Sequence, residues 1–574
     1  MKAPLLPYKS AFRPDRRYVL KTGSLAVAGA LMLPYRTAIA QSDAADVIFS
    51  GGNILTMDTS NPKAEALAVR DGRIIAVGSQ DEIDALTSST TRIIDLDGRT
   101  LMPGMIDSHA HSYSVVKDDF IIISPTEVAS FDEVMQKLNE GAAKLKEGDW
   151  LLAADYDGVV TPGGRQFTLE DMDRIAPNNP FLLLEGSGHA AYANSLAFKI
   201  VGIDENTPDP VAARYVKNDK GELTGRLEEL PTFGPFLNAA QQLTDEDMEA
   251  RTLRFFNSGA KVGITTFGDP SVGQNKGIED LRLFERIKDR APVRTRAFLV
   301  STLMDDWAEN GIGMGYGDDK MRVAKMKAWS DGATQAYSSY LREPYLGTDS
   351  RGALNYTEDQ LYEVVKRAHG DGFSLAVHGN GDAAIDLVLR VYEQVLAENP
   401  RDDHRHRIEH CSVGHPEQYD KMKELGVSPT YLSGHIRWWG KAFRDNLLGP
   451  ERVEYYDAAA TAVEKDIPFS MHSDYSVSPL GPLRCVQDMV TRVMADGGEV
   501  FAPDQRIPVE EALKGVTTHA AWQLHMDDIA GSLEVGKYAD LTVLEDDPTS
   551  VDPMQIENIE VSGTWLEGKE TNAA

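Results

Sequence analysis

Pro103-Gly104-Met105-Ile106-Asp107-Ser108-His109-Ala110-His111 is an apolar run that leaves a Pro-Gly turn and ends in His-x-His. Alternate residues of a strand face the same side, so both imidazoles can reach one point. Two imidazoles converging on a point form a metal-binding pattern, although alone they more often describe a half-buried structural pair. The structural pair would not call for further ligands at the ends of other strands. Outward from this stretch, apolar runs begin near Gly104, Val262, Val293, Arg322, Phe373, His406, Val427 and Pro468. They alternate with helical segments such as 358–369 and 383–397, the βα rhythm of a parallel sheet. Eight such units predict a closed (β/α)₈ barrel with its chemistry at the C-terminal ends of the strands. Two more apolar runs, 150–156 and 181–184, then fall in an insertion after the first strand, at about 112–244.

Further ligands do stand at predicted strand ends. The run over 373–377 stops at His378, Arg405-His406-Arg407-Ile408-Glu409 stops at His410, and the eighth run closes in Met471-His472-Ser473-Asp474. Each of these residues alone reads as a core, surface or turn residue. Their repetition at strand ends points to one cavity that collects imidazoles and a carboxylate. The flanks share another grammar, short strands with tight turns such as Arg70-Asp71-Gly72-Arg73, a hairpin signal. It returns at Gly536-Lys537-Tyr538-Ala539-Asp540 and the strands after it, so one β domain built from both chain ends is expected.

These motifs, with Lys327-Ala328-Trp329-Ser330-Asp331-Gly332, Glu343-Pro344-Tyr345, His378-Gly379-Asn380-Gly381-Asp382 and the closing 531–540 segment, resemble the amidohydrolase superfamily in its YtcJ-like or amidohydrolase 3 branch. That branch includes N-substituted formamide deformylase-like members. The resemblance implies an α/β fold, a distorted (β/α)₈ TIM barrel at 103–527 with a β-sandwich from 44–102 and 528–570. It implies one or two divalent metals, Zn²⁺ first among them, with Mn²⁺, Fe²⁺ or Co²⁺ suited to the same ligands. By position, His109 and His111 would bind the more buried ion and His378 and His410 the more exposed one. A protonated lysine has no lone pair for a cation, so Lys327 would act as a CO₂-derived carbamate bridging two ions. Asp474 would touch the first ion and shuttle the proton as general base and then general acid. The resemblance thus implies hydrolysis of a C–N bond in an amide, N-acyl or N-formyl compound. An ester, a cyclic amide or a ring amine could use the same site.

Other residues carry weaker expectations. His189, within the insertion, and His435, after the seventh strand, are candidates to touch substrate. His472 faces away from Asp474 by alternation, and His404 and His406 read as a solvated basic turn. Glu409 reads as packing or support, and Lys325 as a surface or salt-bridged lysine. Trp438, Trp439 and Tyr475 hint at an aromatic lining. Ser473-Asp474-Tyr475-Ser476-Val477 departs from the branch's usual small-Pro-Val ending, which suggests a pocket of its own.

The chain has 574 residues and a net charge of −31, so it lacks the basic surface that nucleic acid requires. Its two cysteines, Cys411 and Cys485, exclude a disulfide framework and a thiolate metal site. The first 40 residues differ, with seven basic residues against one acid. A basic start, the apolar run 25–33 and Ala38-Ile39-Ala40 form an export signal, and Asp15-Arg16-Arg17-Tyr18-Val19-Leu20-Lys21 resembles a twin-arginine motif. A periplasmic or secreted enzyme with a small-molecule substrate and no stable membrane insertion is expected, and a homodimer is compatible with this reading. A non-catalytic binding or regulatory protein on the same scaffold would be expected to have lost ligands, and all six are present.

Overall fold

The computed structural model describes residues 44–125, 127–210, 213–495 and 498–571, so the export signal expected over 1–40 lies outside the described residues. Eight parallel strands form the central sheet: β1 (Met105–Asp107), β2 (Ile264–Val272), β3 (Arg294–Val300), β4 (Met321–Trp329), β5 (Leu375–Gly379), β6 (Arg407–His410), β7 (Ser428–Leu432) and β8 (Ser470–His472). Each starts within two residues of its expected position. The order runs unbroken from β1 to β8, with helices such as Glu358–Gly370 and Asp382–Glu398 between strands.

The barrel closes by side chains at the β1/β8 seam and by backbone bonds just beyond it. Ser108 Oγ meets Ser470 Oγ at 2.7 Å, and Ser473 Oγ donates to Asp107 at 2.6 Å. Past the strand ends, Asp474 N–H donates to the His109 carbonyl at 3.0 Å and His111 N–H to the Tyr475 carbonyl at 2.8 Å. This seam therefore brings the His-x-His segment and Asp474 together. At the other end, Gln523 of helix Thr518–Gln523 bonds Ser428, Pro429, Ser470 and Arg407 and plugs the barrel.

The apolar side of Asp382–Glu398 is buried through Ile385, Val388, Leu389, Tyr392 and Val395. Each of the aliphatic side chains among them contributes about 1.5–3 kcal/mol on burial, which holds the helix against the strands. Both chain ends build one flanking sheet, with Leu541–Leu544 antiparallel to Thr100–Pro103. Asp71 and Gly72 (φ 52° and 75°) turn the hairpin between Lys63–Arg70 and Arg73–Gly78. An irregularity after Ser50 lets one strand, Val47–Leu55, pair first with Arg92–Asp95 and then with Thr100–Pro103. The insertion carries a separate six-stranded sheet, including Leu151–Tyr156 and Phe181–Glu185, the two runs left outside the barrel count.

Candidate active site

His109 and His111 lie just past β1, Lys327 two residues before the end of β4, His378 near the end of β5, His410 at the end of β6 and Asp474 two residues past β8. All six line one cavity of about 330 Å³ at the C-terminal ends of the strands. His410 and Asp474 hold left-handed backbones, φ 67° and 51°. Such non-glycine geometry costs about 1–3 kcal/mol and persists where the surroundings enforce it.

The ligand atoms fit a divalent cation. Asp474 Oδ1 is 2.9 Å from His111 Nε2 and 3.2 Å from His109 Nε2, and Oδ2 is 3.9 Å from His410 Nδ1. Tetrahedral metal bonds of about 2.0–2.2 Å put neighbouring ligand atoms about 3.3–3.6 Å apart, close to these separations. The two shorter distances would also suit hydrogen bonds. His109 Nε2, His410 Nδ1 and Asp474 Oδ1 are buried without a hydrogen-bond partner. One possible ligand atom from each of these three residues lies within 4.8 Å of the others, close enough to share an ion. His111 touches Asp474 at the rim of this trio, and the His378 ring centroid is 4.6 Å from that of His410.

Protonation favours the same use. Burial drives His378 and His410 well below the ordinary histidine value, so both are neutral with a lone pair available. Burial works to raise Asp474, but the neighbouring His109 outweighs it and keeps the carboxyl well below the usual range, hence ionised. Burial lowers Lys327 to about 8, so a fraction of neutral amine exists near neutral pH.

The second layer of contacts aims the ligands. Glu409, completely buried, holds His109 Nδ1 and is itself held by Arg407 at 3.0 Å, so Nε2 faces the cavity. His378 Nε2–H donates to the Gly332 carbonyl at 3.0 Å, leaving Nδ1 as the nitrogen available to a metal. Asp331 fixes the loops after β4 and β5 by accepting N–H bonds from Tyr340, Asn380 and Gly381. Asp331 and Gly332, at the end of the Lys327-to-Gly332 segment, thus support His378. His472 stacks on His109 with centroids 4.6 Å apart and stays out of the cavity wall.

His189 lines the cavity, its Nδ1 at 3.0 Å from both Glu229 oxygens and its ring 4.8 Å from that of His378. Burial works to lower its pKa, but Glu229 outweighs that and raises it. His435 is not part of this wall: it is buried among Trp439, Phe443 and Tyr456 with Nδ1 3.3 Å from Ser412 Oγ. Its apolar neighbours draw the segment inward. Lys325 is no surface lysine, being fully buried and donating to the Arg405 carbonyl at 2.8 Å. His404 and His406 are likewise buried, linked as His406 N–H to His404 Nδ1 at 2.9 Å, because a basic run can turn inward where carbonyls and rings accept its protons. Trp438, Trp439 and Tyr475 line a second cavity of about 890 Å³ that adjoins the first.

Among known proteins, the amidohydrolase family model matches residues 92–571. The N-substituted formamide deformylase of Arthrobacter pascens is 27% identical over 91% of this chain and 97% of its own length. The protein LONG AFTER FAR-RED 3 of Arabidopsis thaliana is 28% identical over 87% of each chain. Of solved structures, an uncharacterized metal-dependent hydrolase from Pyrococcus furiosus superposes with a TM-score of 0.67 at 24% identity, covering 88% of this chain and 100% of that one. One from Pyrococcus horikoshii reaches 0.69 at 22% identity, covering 88% and 99%.

Proposed function

The chain belongs to the amidohydrolase family, a metal-dependent hydrolase acting on C–N bonds, and on that premise we propose that it is an exported enzyme that hydrolyses small amides, N-formyl compounds foremost. The observation that carries this reading is the convergence of partnerless His109, His410 and Asp474 atoms on one point. In it, His109, His111 and Asp474 would hold one ion and His378 and His410 a second, with Lys327, as a carbamate, supplying anionic oxygens to both. A bound divalent ion such as Zn²⁺ supplies a water with its pKa lowered from 15.7 to about 7 and polarises the scissile carbonyl. Asp474 accepts the attacking water's proton and returns it to the leaving nitrogen, so that an amide and water become an acid and an amine. His189, held through Nδ1 by Glu229 in the cavity wall, would donate from Nε2 to the substrate carbonyl oxygen. The deformylase relative supports the formamide choice. The twin-arginine motif at Arg16-Arg17 supports export of a protein already folded around its metal.

The deciding assay loads purified protein with metal and offers a panel of formamides, acylamides and esters. Asp474→Asn should keep its metal and lose about 10²–10⁴-fold in turnover, the range of general acid–base contributions. Equal rates for the two proteins would remove Asp474 from the chemistry. After labelling with ¹³C-bicarbonate, a carbamate carbon resonance present in wild type and missing from Lys327→Met would identify the bridge. Cell fractionation of an R16K/R17K double variant should find the protein retained in the cytoplasm.

A further inference from the structure

We infer that the outer cavity receives the remote part of the substrate, and that the two cavities together select an uncharged amide with a bulky apolar group over one bearing a carboxylate. This rests on the hydrolase reading above and specifies its substrate. Ser114, Lys117, Gly186, Ser476 and Val477 line both cavities, so the outer space opens directly onto the metal site. Trp438, Tyr475, Val159, Val160 and Pro479 give it apolar and aromatic walls suited to a ring or branched chain.

Charge decides what cannot enter. Among the described residues, the lysines and arginines on the outer wall are Lys117, Arg437 and Lys441, and an acid already holds each. Lys117 Nζ donates to Asp155 Oδ1 at 2.6 Å and to Ser476 Oγ. Arg437 is bonded to Asp488 at 2.8 Å and Glu557 at 2.9 Å, and Lys441 to Asp445. Asp118, Glu127, Asp155, Asp157 and Asp445 stand on the same wall. Within the inner cavity, among the described residues, the further cationic side chains are Lys327, which the metal centre would claim, and His189, whose charge Glu229 balances. A carboxylate on the remote part of the substrate would leave water for an acidic outer cavity whose cations are already paired. Lys117, at the junction of the cavities, is neutralised by Asp155 and therefore acts as a specificity-determining position.

Two hydrolysis-inert probes test this by calorimetric titration of the metal-loaded protein: N-(2-phenylethyl)methanesulfonamide and N-methylsulfonylphenylalanine, which differ by one carboxylate. The neutral probe should bind about tenfold tighter to wild type, a modest electrostatic discrimination. Asp155 holds φ 67°, a conformation asparagine also accepts, so Asp155→Asn should release the Lys117 charge without disturbing the backbone. This variant should bind the carboxylate probe about fivefold more tightly and leave the neutral probe unchanged. Trp438→Ala should weaken the neutral probe about fivefold through lost aromatic contact. Equal wild-type affinities, no binding of either probe, or an Asp155→Asn effect common to both probes would overturn the inference. Turnover of the corresponding formamides is assayed separately: selective binding without turnover would fault the hydrolase reading alone, and turnover without selectivity would fault the inference alone.

Discussion

Glu409 does not line the cavity, yet it decides which nitrogen of His109 faces it, because its carboxylate occupies Nδ1. Carboxylate partners of metal-binding histidines typically change metal affinity by about 10–100-fold when lost. Glu409→Gln should therefore release metal at correspondingly lower chelator concentration, measured by metal content after graded dialysis. An unchanged release curve would deprive Glu409 of that role. The ligand types were legible from one pattern, a histidine or aspartate at the ends of four of the eight strands. Glu409 was only half legible: Arg407 and Glu409 alternate along one strand face, but no local rule says that this face meets His109 from 300 residues away.

Strands bring their own constraints. β1 and β2 approach so closely that a Cβ on Gly268 would lie 2.3 Å from the Ser108 carbonyl oxygen, and Ala110 N–H donates to Gly268 at 2.9 Å. Gly268→Ala must shift the backbone that carries His109 and His111. It should cost about 1–3 kcal/mol, as overpacking does, and weaken metal binding along with it. Denaturant midpoints and metal titrations on the same preparation would check both, and a stable variant with weakened metal binding would still locate the strain at the site. Asp331 ties two loops by accepting three backbone N–H bonds, and burial raises it to about 7. Asp331→Ala would leave those donors unsatisfied at about 1–3 kcal/mol each, loosening His378 and lowering the thermal midpoint. The eight strands were legible because apolar runs bounded by turns are local. The seam between β1 and β8 was not, since it rests on side chains such as Ser108 and Ser470 whose partners lie 362 residues apart.

For the whole molecule, the buried histidines couple stability to pH. Burial holds His404 and His519 at about 4 and His435 and His525 at about 3, and drives His378, His406, His410 and His472 well below the ordinary 6.5. Each is neutral in the fold and protonated in the unfolded chain below pH 6.5. Its contribution is whole above that pH and is lost as pH falls toward the folded value. Burial raises Asp107, Asp157, Asp280 and Asp488 to about 6, Asp331 to about 7, and Asp457 well above its ordinary value. These run the opposite way, gaining stability as pH falls toward 3.8, but the histidines outnumber them. The metal-free protein should accordingly lose stability between pH 6.5 and 4, seen as a falling denaturant midpoint. A rising midpoint would contradict the assignment of neutral buried imidazoles. At neutral pH, metal that binds only the folded state should raise the thermal midpoint, and a chelator should return it.

The sequence by itself determined the strand order, the turns of the flanking sheet and the kinds of groups offered to a metal, because alternation and turn chemistry act between near neighbours. Tertiary structure alone decided which nitrogen each histidine presents, that His435 turns inward, and that Lys117 is neutralised beside an aromatic cavity. The reason is physical. Barrel closure joins residues that no periodicity relates, and burial then sets their charge and direction by what they happen to face.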